Sequence, residues 1–183
     1  MRVTGGRARG RRIYAPKSDK IRVSSDRIRE SLFDILPPMD GVIFLDIYAG
    51  TGSAGIEALS RGCAGVVFIE KEPLHAAELK KNLTRCGFDE TCEVIVSTAQ
   101  RGIQILSGRS RRFDVIFADP PYDKVLATTT IDLLGECDLI SRDGVLIVEH
   151  SFREDITVNK EFVLTDQRRY GDTVLSFLNS NRG

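Results

Sequence analysis

Asp46-Ile47-Tyr48-Ala49-Gly50-Thr51-Gly52-Ser53-Ala54-Gly55 decides how this chain folds. An apolar run, Val42 to Leu45, precedes it, and helix-forming residues follow to about Arg61. Gly50, Gly52 and Gly55 fit a G-x-G-x-x-G turn between a strand and a helix. Glu70 lies about 20 residues further on, at the end of a second apolar run, Val66 to Ile69. Glycines let a ligand approach backbone, and a carboxylate on the second strand suits a ribose diol. Strand, glycine turn, helix and strand in that order predict a parallel unit.

Working outward, the alternation continues. Ser25 is a predicted N-cap for a helix over Asp26 to Leu36, which Pro37-Pro38 ends. Pro73 opens a helix running to about Cys86 and stopped by Gly87. Val94 to Val96 is a third strand, and a short helix is centred on Gly102 to Leu106. Phe113 to Ala118 is a fourth strand, followed by a helix over Val125 to Glu136 and a fifth strand, Gly144 to Val148. Phe162 to Thr165 and Val174 to Leu178 flank Gln167-Arg168-Arg169-Tyr170-Gly171-Asp172, which reads as a hairpin. The pattern predicts an α/β fold with a mostly parallel, doubly wound sheet and an antiparallel strand near one edge.

A second constellation, Asp119-Pro120-Pro121-Tyr122, stands at the end of the fourth strand. Neither proline has an N–H, and each holds the residue before it extended. The chain therefore leaves the sheet as a stiff arch of acceptors beside an aromatic ring. A planar group bearing an NH2, such as a nucleobase amine, suits that arch. Asp46 separately disfavours a pyrophosphate and favours a cation. S-adenosylmethionine carries an ammonium, a sulfonium and a ribose, and no phosphate.

The chain has 26 basic and 26 acidic residues, yet the balance is uneven along it. Arg2, Arg7, Arg9, Arg11, Arg12, Lys17, Lys20, Arg22, Arg27 and Arg29 face only Asp19, Asp26 and Glu30, so the remainder is net negative. Interleaved with Gly5, Gly6, Gly10 and Tyr14, they predict a flexible or edge segment that tracks a phosphate backbone, with Arg7, Arg9, Arg11, Arg12, Arg22 and Arg27 as RNA contacts. Residues 1–38 are taken as this basic extension with one helix, and 39–183 as the main domain. Cys63, Cys86, Cys92 and Cys137 are scattered, and His75 and His150 are isolated, so no metal is expected. No apolar run is long enough for a membrane span and no signal-peptide core is seen, so the expected location is cytoplasmic.

Asp46, Tyr48, Gly50 and Gly52 resemble the cofactor loop of class I S-adenosylmethionine-dependent methyltransferases, whose fourth strand can end in a D/N/S-P-P-Y/F motif like Asp119 to Tyr122. That motif is similar to those of enzymes modifying exocyclic amines of bases, or the glutamine amide. Gly5, Gly6, Arg9 and Gly10, then Arg22-x-Ser24-Ser25-Asp26-Arg27-x-Arg29-Glu30-x-Leu32-Phe33 and Gly55-x-Glu57-Ala58-Leu59-Ser60-Arg61-Gly62, resemble the bacterial small-subunit ribosomal RNA guanine-N2 methyltransferases. The resemblance runs over nearly the whole chain. It implies a Rossmann-like fold with a seven-stranded sheet, and S-adenosylmethionine held by Asp46, Tyr48, Ala49, Gly50, Thr51, Gly52, Glu70, Lys71, Thr98, Ala99 and Asp119. It further implies catalysis by Asp119, Pro120, Pro121 and Tyr122 on the small ribosomal subunit or its 16S RNA, by a monomer. One position departs from the pattern: after the third strand, where a carboxylate or amide is common, the chain has Thr98, with Gln100 nearby. An adenine-N6 or glutamine-amide methyltransferase, a nicotinamide-dependent oxidoreductase and a catalytically silent RNA-binding protein are the rival readings.

Overall fold

The computed structural model describes residues 1–16, 26–121 and 125–181. Arg22, Ser25 and Tyr122 lie outside them. Helix α1 is Asp26–Ile35, and β1 (Ile43–Ile47) leads into α2 (Ser53–Ser60). There follow β2 (Gly65–Glu70), α3 (Pro73–Cys86), β3 (Cys92–Val96), α4 (Ala99–Gly108), β4 (Phe113–Ala118) and α5 (Leu126–Cys137). The last three elements are β5 (Ile140–Ser151), β6 (Phe162–Tyr170) and β7 (Thr173–Ser180). The seven strands lie in the order β3-β2-β1-β4-β5-β7-β6. The first five are parallel, and β7 runs antiparallel between β5 and β6.

The central strands read as unbroken apolar runs because helices cover both faces of the sheet. Phe44, Phe68 and Phe117 point to the side holding Ile56 and Leu59 of α2 and Leu79 of α3. Leu45, Ile47, Val67 and Ile116 point to the side of Ile103 in α4 and Ile131 in α5. Helix α3 stops as expected, with Gly87 at φ 75 and the Phe88 N–H returning to the Leu83 carbonyl at 3.1 Å.

Two expectations change. Gln167 to Tyr170 is strand rather than turn, and the reversal is Gly171-Asp172 alone, with Gly171 at φ 64. Strand β6 is an edge, paired with β7 through to Tyr170 despite one register shift between Leu164 and Asp166, and polar and charged side chains that face water there lose their value as a turn signal. The N-terminal arm is also folded down. Residues Val3, Ala8 and Ile13 are buried in the same core as Ile56 and Phe68, not held out as a flexible tail. The Val3 N–H donates to the Arg11 carbonyl at 3.0 Å and the Ile13 N–H to that of Met1 at 3.1 Å, closing a compact loop.

Candidate active site

Strands β1, β2, β3 and β4 deliver their C-terminal ends to one edge of the sheet, where ligands of such folds collect. The loop after β1 coils tightly, with Tyr48 at φ 63, Gly50 at φ 55 and Gly52 at φ 83. Glycine adopts this backbone freely, but Tyr48 does not, and such strain persists only where the surroundings hold it. The Tyr48 hydroxyl reaches Thr130 Oγ1 on α5 at 2.8 Å, tying the loop to the opposite layer. Glu70, at the tip of β2, accepts the Gly50 N–H at 2.7 Å and the Glu72 N–H at 2.8 Å. Asn82 of α3, fully buried, donates to the Thr51 carbonyl at 3.1 Å and completes the cradle.

The loop forms one wall of a cavity of about 780 Å³. Further walls come from Glu70 to Glu72, from Ser97 to Gln100, from Asp119 to Pro121 and from Glu149 on β5. That volume suits a cofactor-sized molecule. The lining carries four carboxylates, Glu70, Glu72, Asp119 and Glu149, against Lys71 and His75. Such a wall suits a cation and repels a pyrophosphate. The Ser97 hydroxyl is buried against this cavity with no hydrogen-bond partner, so it is ready for a polar ligand atom.

Of the residues expected around the cofactor, Tyr48, Ala49, Gly50, Thr51, Glu70, Lys71, Thr98, Ala99 and Asp119 line the cavity. Asp46, within β1, and Gly52, at the end of the loop, do not. Asp46 is 2% exposed and accepts the Gly55 N–H at 2.9 Å, which fixes the start of α2. Burial, resisted by that N–H and reinforced by the charge of Glu70, raises its carboxyl to about 7. A Cβ on Gly52 would stand 2.9 Å from Leu79 Cγ, so that glycine is also a packing requirement. Thr98 caps α4 by accepting the Arg101 N–H at 3.3 Å. Asp119, Pro120 and Pro121 share the cavity with the loop. Sequence reasoning misses Ser97 and Glu149; the only signal for Glu149 is a carboxylate ending the apolar run Val145 to Val148.

The family model described as Conserved hypothetical protein 95 matches residues 1–179. The ribosomal RNA small subunit methyltransferase D of Haemophilus influenzae is 33% identical over 176 residues, spanning 93% of this chain and 89% of the relative. The chain belongs to this methyltransferase family. A solved structure of a hypothetical protein from Thermus thermophilus superposes with a TM-score of 0.85 at 30% identity, over 98% of this chain and 99% of that one. An RNA methyltransferase from Salinibacter ruber in complex with S-adenosyl-L-homocysteine shares the fold, with a TM-score of 0.68 at 13% identity over 88% and 95% of the two chains. The acidic, phosphate-averse cavity with its unpartnered Ser97 hydroxyl fits S-adenosylmethionine, the methylated form of the molecule that the Salinibacter ruber enzyme holds.

The stretches that carry the resemblance to the methyltransferase D family meet in space. Glu57 is fully buried and accepts from the Thr4 N–H at 2.8 Å, the Gly5 N–H at 2.7 Å, Arg61 Nε at 2.9 Å and Arg29 Nε at 3.3 Å. Burial raises the Glu57 carboxyl, but Thr4, Arg61 and Arg29 outweigh it and hold the group below the usual carboxylate range. Gly6, at φ 71, passes so close to α2 that a Cβ would lie 1.8 Å from the Ser60 carbonyl oxygen. These motif residues clamp the N-terminal loop to α2. The expected RNA contacts on the loop divide accordingly. Arg7, Arg9, Arg11 and Arg12 are all exposed, as is Arg27 on α1, but Arg7 also stacks over Phe88 at 4.5 Å and Arg11 donates to the Arg85 carbonyl. Among the described residues no cluster of three or more metal-binding side chains occurs, and no helix is long and apolar enough to cross a membrane.

Proposed function

We propose that this protein methylates the exocyclic N2 amine of a guanine in small-subunit ribosomal RNA. The observation that carries the reading is the shared cavity: the Asp119-Pro120-Pro121 arch opens onto the same space as the glycine loop and Glu70. S-adenosylmethionine, when bound, supplies an electrophilic methyl group. The Tyr48–Thr51 loop, Glu70 and the Ser97–Gln100 turn would hold it, with the Ser97 hydroxyl and Gln100 serving at the edge where Thr98 replaces the usual acid. Glu70 keeps lone pairs available beyond its two backbone bonds, so a ribose hydroxyl can still be accepted.

The guanine N2 lone pair is delocalised into the ring, so this amine needs alignment more than deprotonation. Asp119 and the Pro120 carbonyl accept its two N–H groups and turn the lone pair toward the cofactor. Proximity of this kind supplies roughly 7–11 kcal/mol of a barrier. Tyr122 is assigned to stack on the base, which has to leave its RNA stack to enter the cavity. The proton lost after transfer passes to solvent, and no strong base is required. Arg9, Arg12 and Arg27, with Arg7, Arg11 and Arg22, are assigned to the RNA backbone. The name of the Haemophilus influenzae relative, a ribosomal RNA small subunit methyltransferase, supports the small-subunit target.

The test supplies purified protein and labelled S-adenosylmethionine with unmodified small subunits, large subunits and duplex DNA, then digests and identifies the nucleoside. N2-methylguanosine from the small subunit alone is expected. N6-methyladenine from any substrate would replace the guanine assignment with an adenine one.

A further inference from the structure

Glu149 belongs to the same cavity as Asp119, yet the reaction just described leaves it without a task. It stands on β5, next to β4, whose last residue, Ala118, precedes Asp119. Asp119 and Glu149 are the residues that follow the last β4–β5 pair, Ala118 with Val148. Both line the main cavity and also a small second one of about 30 Å³, shared with Asp46 and Arg29. Glu149 is only 3% exposed. It shares the main cavity with the Asp119-Pro120-Pro121 arch, the wall to which the proposed function assigns the acceptor base.

Guanine and adenine present opposite patterns on the edge that bears the amine. Guanine offers two neighbouring donors, the ring N1–H and the N2 amine. Adenine offers its amine beside a ring N1 that is an acceptor. One carboxylate on the amine suits either base; a second carboxylate on the ring nitrogen suits guanine alone and repels the adenine lone pair. On the reading that guanine N2 is the target, we propose that Glu149 is the specificity-determining residue, accepting the ring N1–H while Asp119 addresses the amine. Base choice then resides in the β4–β5 carboxylate pair, and the prolines serve alignment.

The experiment compares small-subunit RNA bearing guanosine at the target with the same RNA bearing 2-aminopurine, which keeps the N2 amine and lacks the N1–H. Wild-type protein is expected to prefer guanosine by at least about tenfold in kcat/KM, the least that loss of a hydrogen bond to a charged group produces. In Glu149→Gln, of equal size, that preference should shrink toward unity or invert, because the amide NH2 can donate to the bare N1. Affinity for S-adenosylmethionine, measured by calorimetry on the same variant, should stay within about twofold and also reports correct folding. An unchanged guanosine preference in Glu149→Gln would overturn the assignment. So would an equal loss on both RNAs with weakened cofactor binding, which would make Glu149 a cofactor ligand. If wild-type protein methylates neither RNA at N2, the guanine reading itself fails, a result distinct from either.

Discussion

At the scale of single residues, Asp119 and Asp46 are both carboxylates at strand ends but do different work. Asp119→Ala should reduce methyl transfer by a factor of about 100 or more while calorimetric affinity for S-adenosylmethionine changes little, because the side chain is proposed to address the acceptor amine. Retention of near-normal turnover would remove Asp119 from the chemistry. Glu70→Ala should weaken cofactor binding about tenfold or more, since it removes a charged hydrogen-bond acceptor from the cavity and frees the Gly50 and Glu72 N–H groups. Asp46 instead makes a pH signature. Its carboxyl is raised above the ordinary 3.8 to about 7 in the folded protein. Its contribution to stability is therefore fully present below about pH 4 and is lost as pH rises through the window up to about 7. The separation is worth roughly 1.4 kcal/mol per pH unit. Asn keeps an acceptor for the Gly55 N–H and cannot ionise. The unfolding free energy of wild type minus that of Asp46→Asn should fall between about pH 4 and about pH 7; a flat difference would contradict the burial argument.

At the scale of elements, the clamp between α2 and the N-terminal loop depends on Glu57. Removing one partner of a buried ion pair leaves the other charge uncompensated and typically costs about 3–5 kcal/mol. Glu57→Ala should show a loss at or below the lower end of that range in denaturant unfolding, since Arg29 is 2% exposed but keeps its ion pair with Asp26 at 3.0 Å. The pH sign is opposite to that of Asp46: the lowered Glu57 carboxyl adds stability above its unfolded value and loses it as pH falls. The elements themselves are mostly readable from the residues. The apolar run Phe113 to Ala118 is a strand with the expected limits, and Pro73 and Gly87 bracket α3. The limits of β5 are not, because Ser141, Arg142 and Asp143 extend it as polar residues and hide it from an apolar pattern.

At the scale of the whole molecule, Arg9, Arg12 and Arg27 are exposed cations, whereas Arg7 and Arg11 also serve packing. Replacing Arg9 and Arg12 with Gln should lower RNA affinity and flatten its log–log salt dependence by about 0.7–0.9 for each phosphate no longer neutralised, with cofactor binding unchanged. A salt slope equal to that of wild type would leave these arginines as solvated surface. The sequence by itself determined the parallel strand–helix alternation, the glycine loop and the Asp119-Pro120-Pro121 arch, because periodicity, turn chemistry and missing N–H groups act between near neighbours. Only the tertiary structure decided what lies across chain separations. It brought Glu149 and Asp119 to one cavity beyond the end of the β4–β5 pairing, and set Ser97 against that cavity without a partner. It also made Gly5, Gly6, Arg29 and Glu57, which the sequence offers only as motif residues of the resemblance, into an internal clamp. Burial and charge pairing depend on which distant segments meet, and no local pattern of residues encodes that meeting.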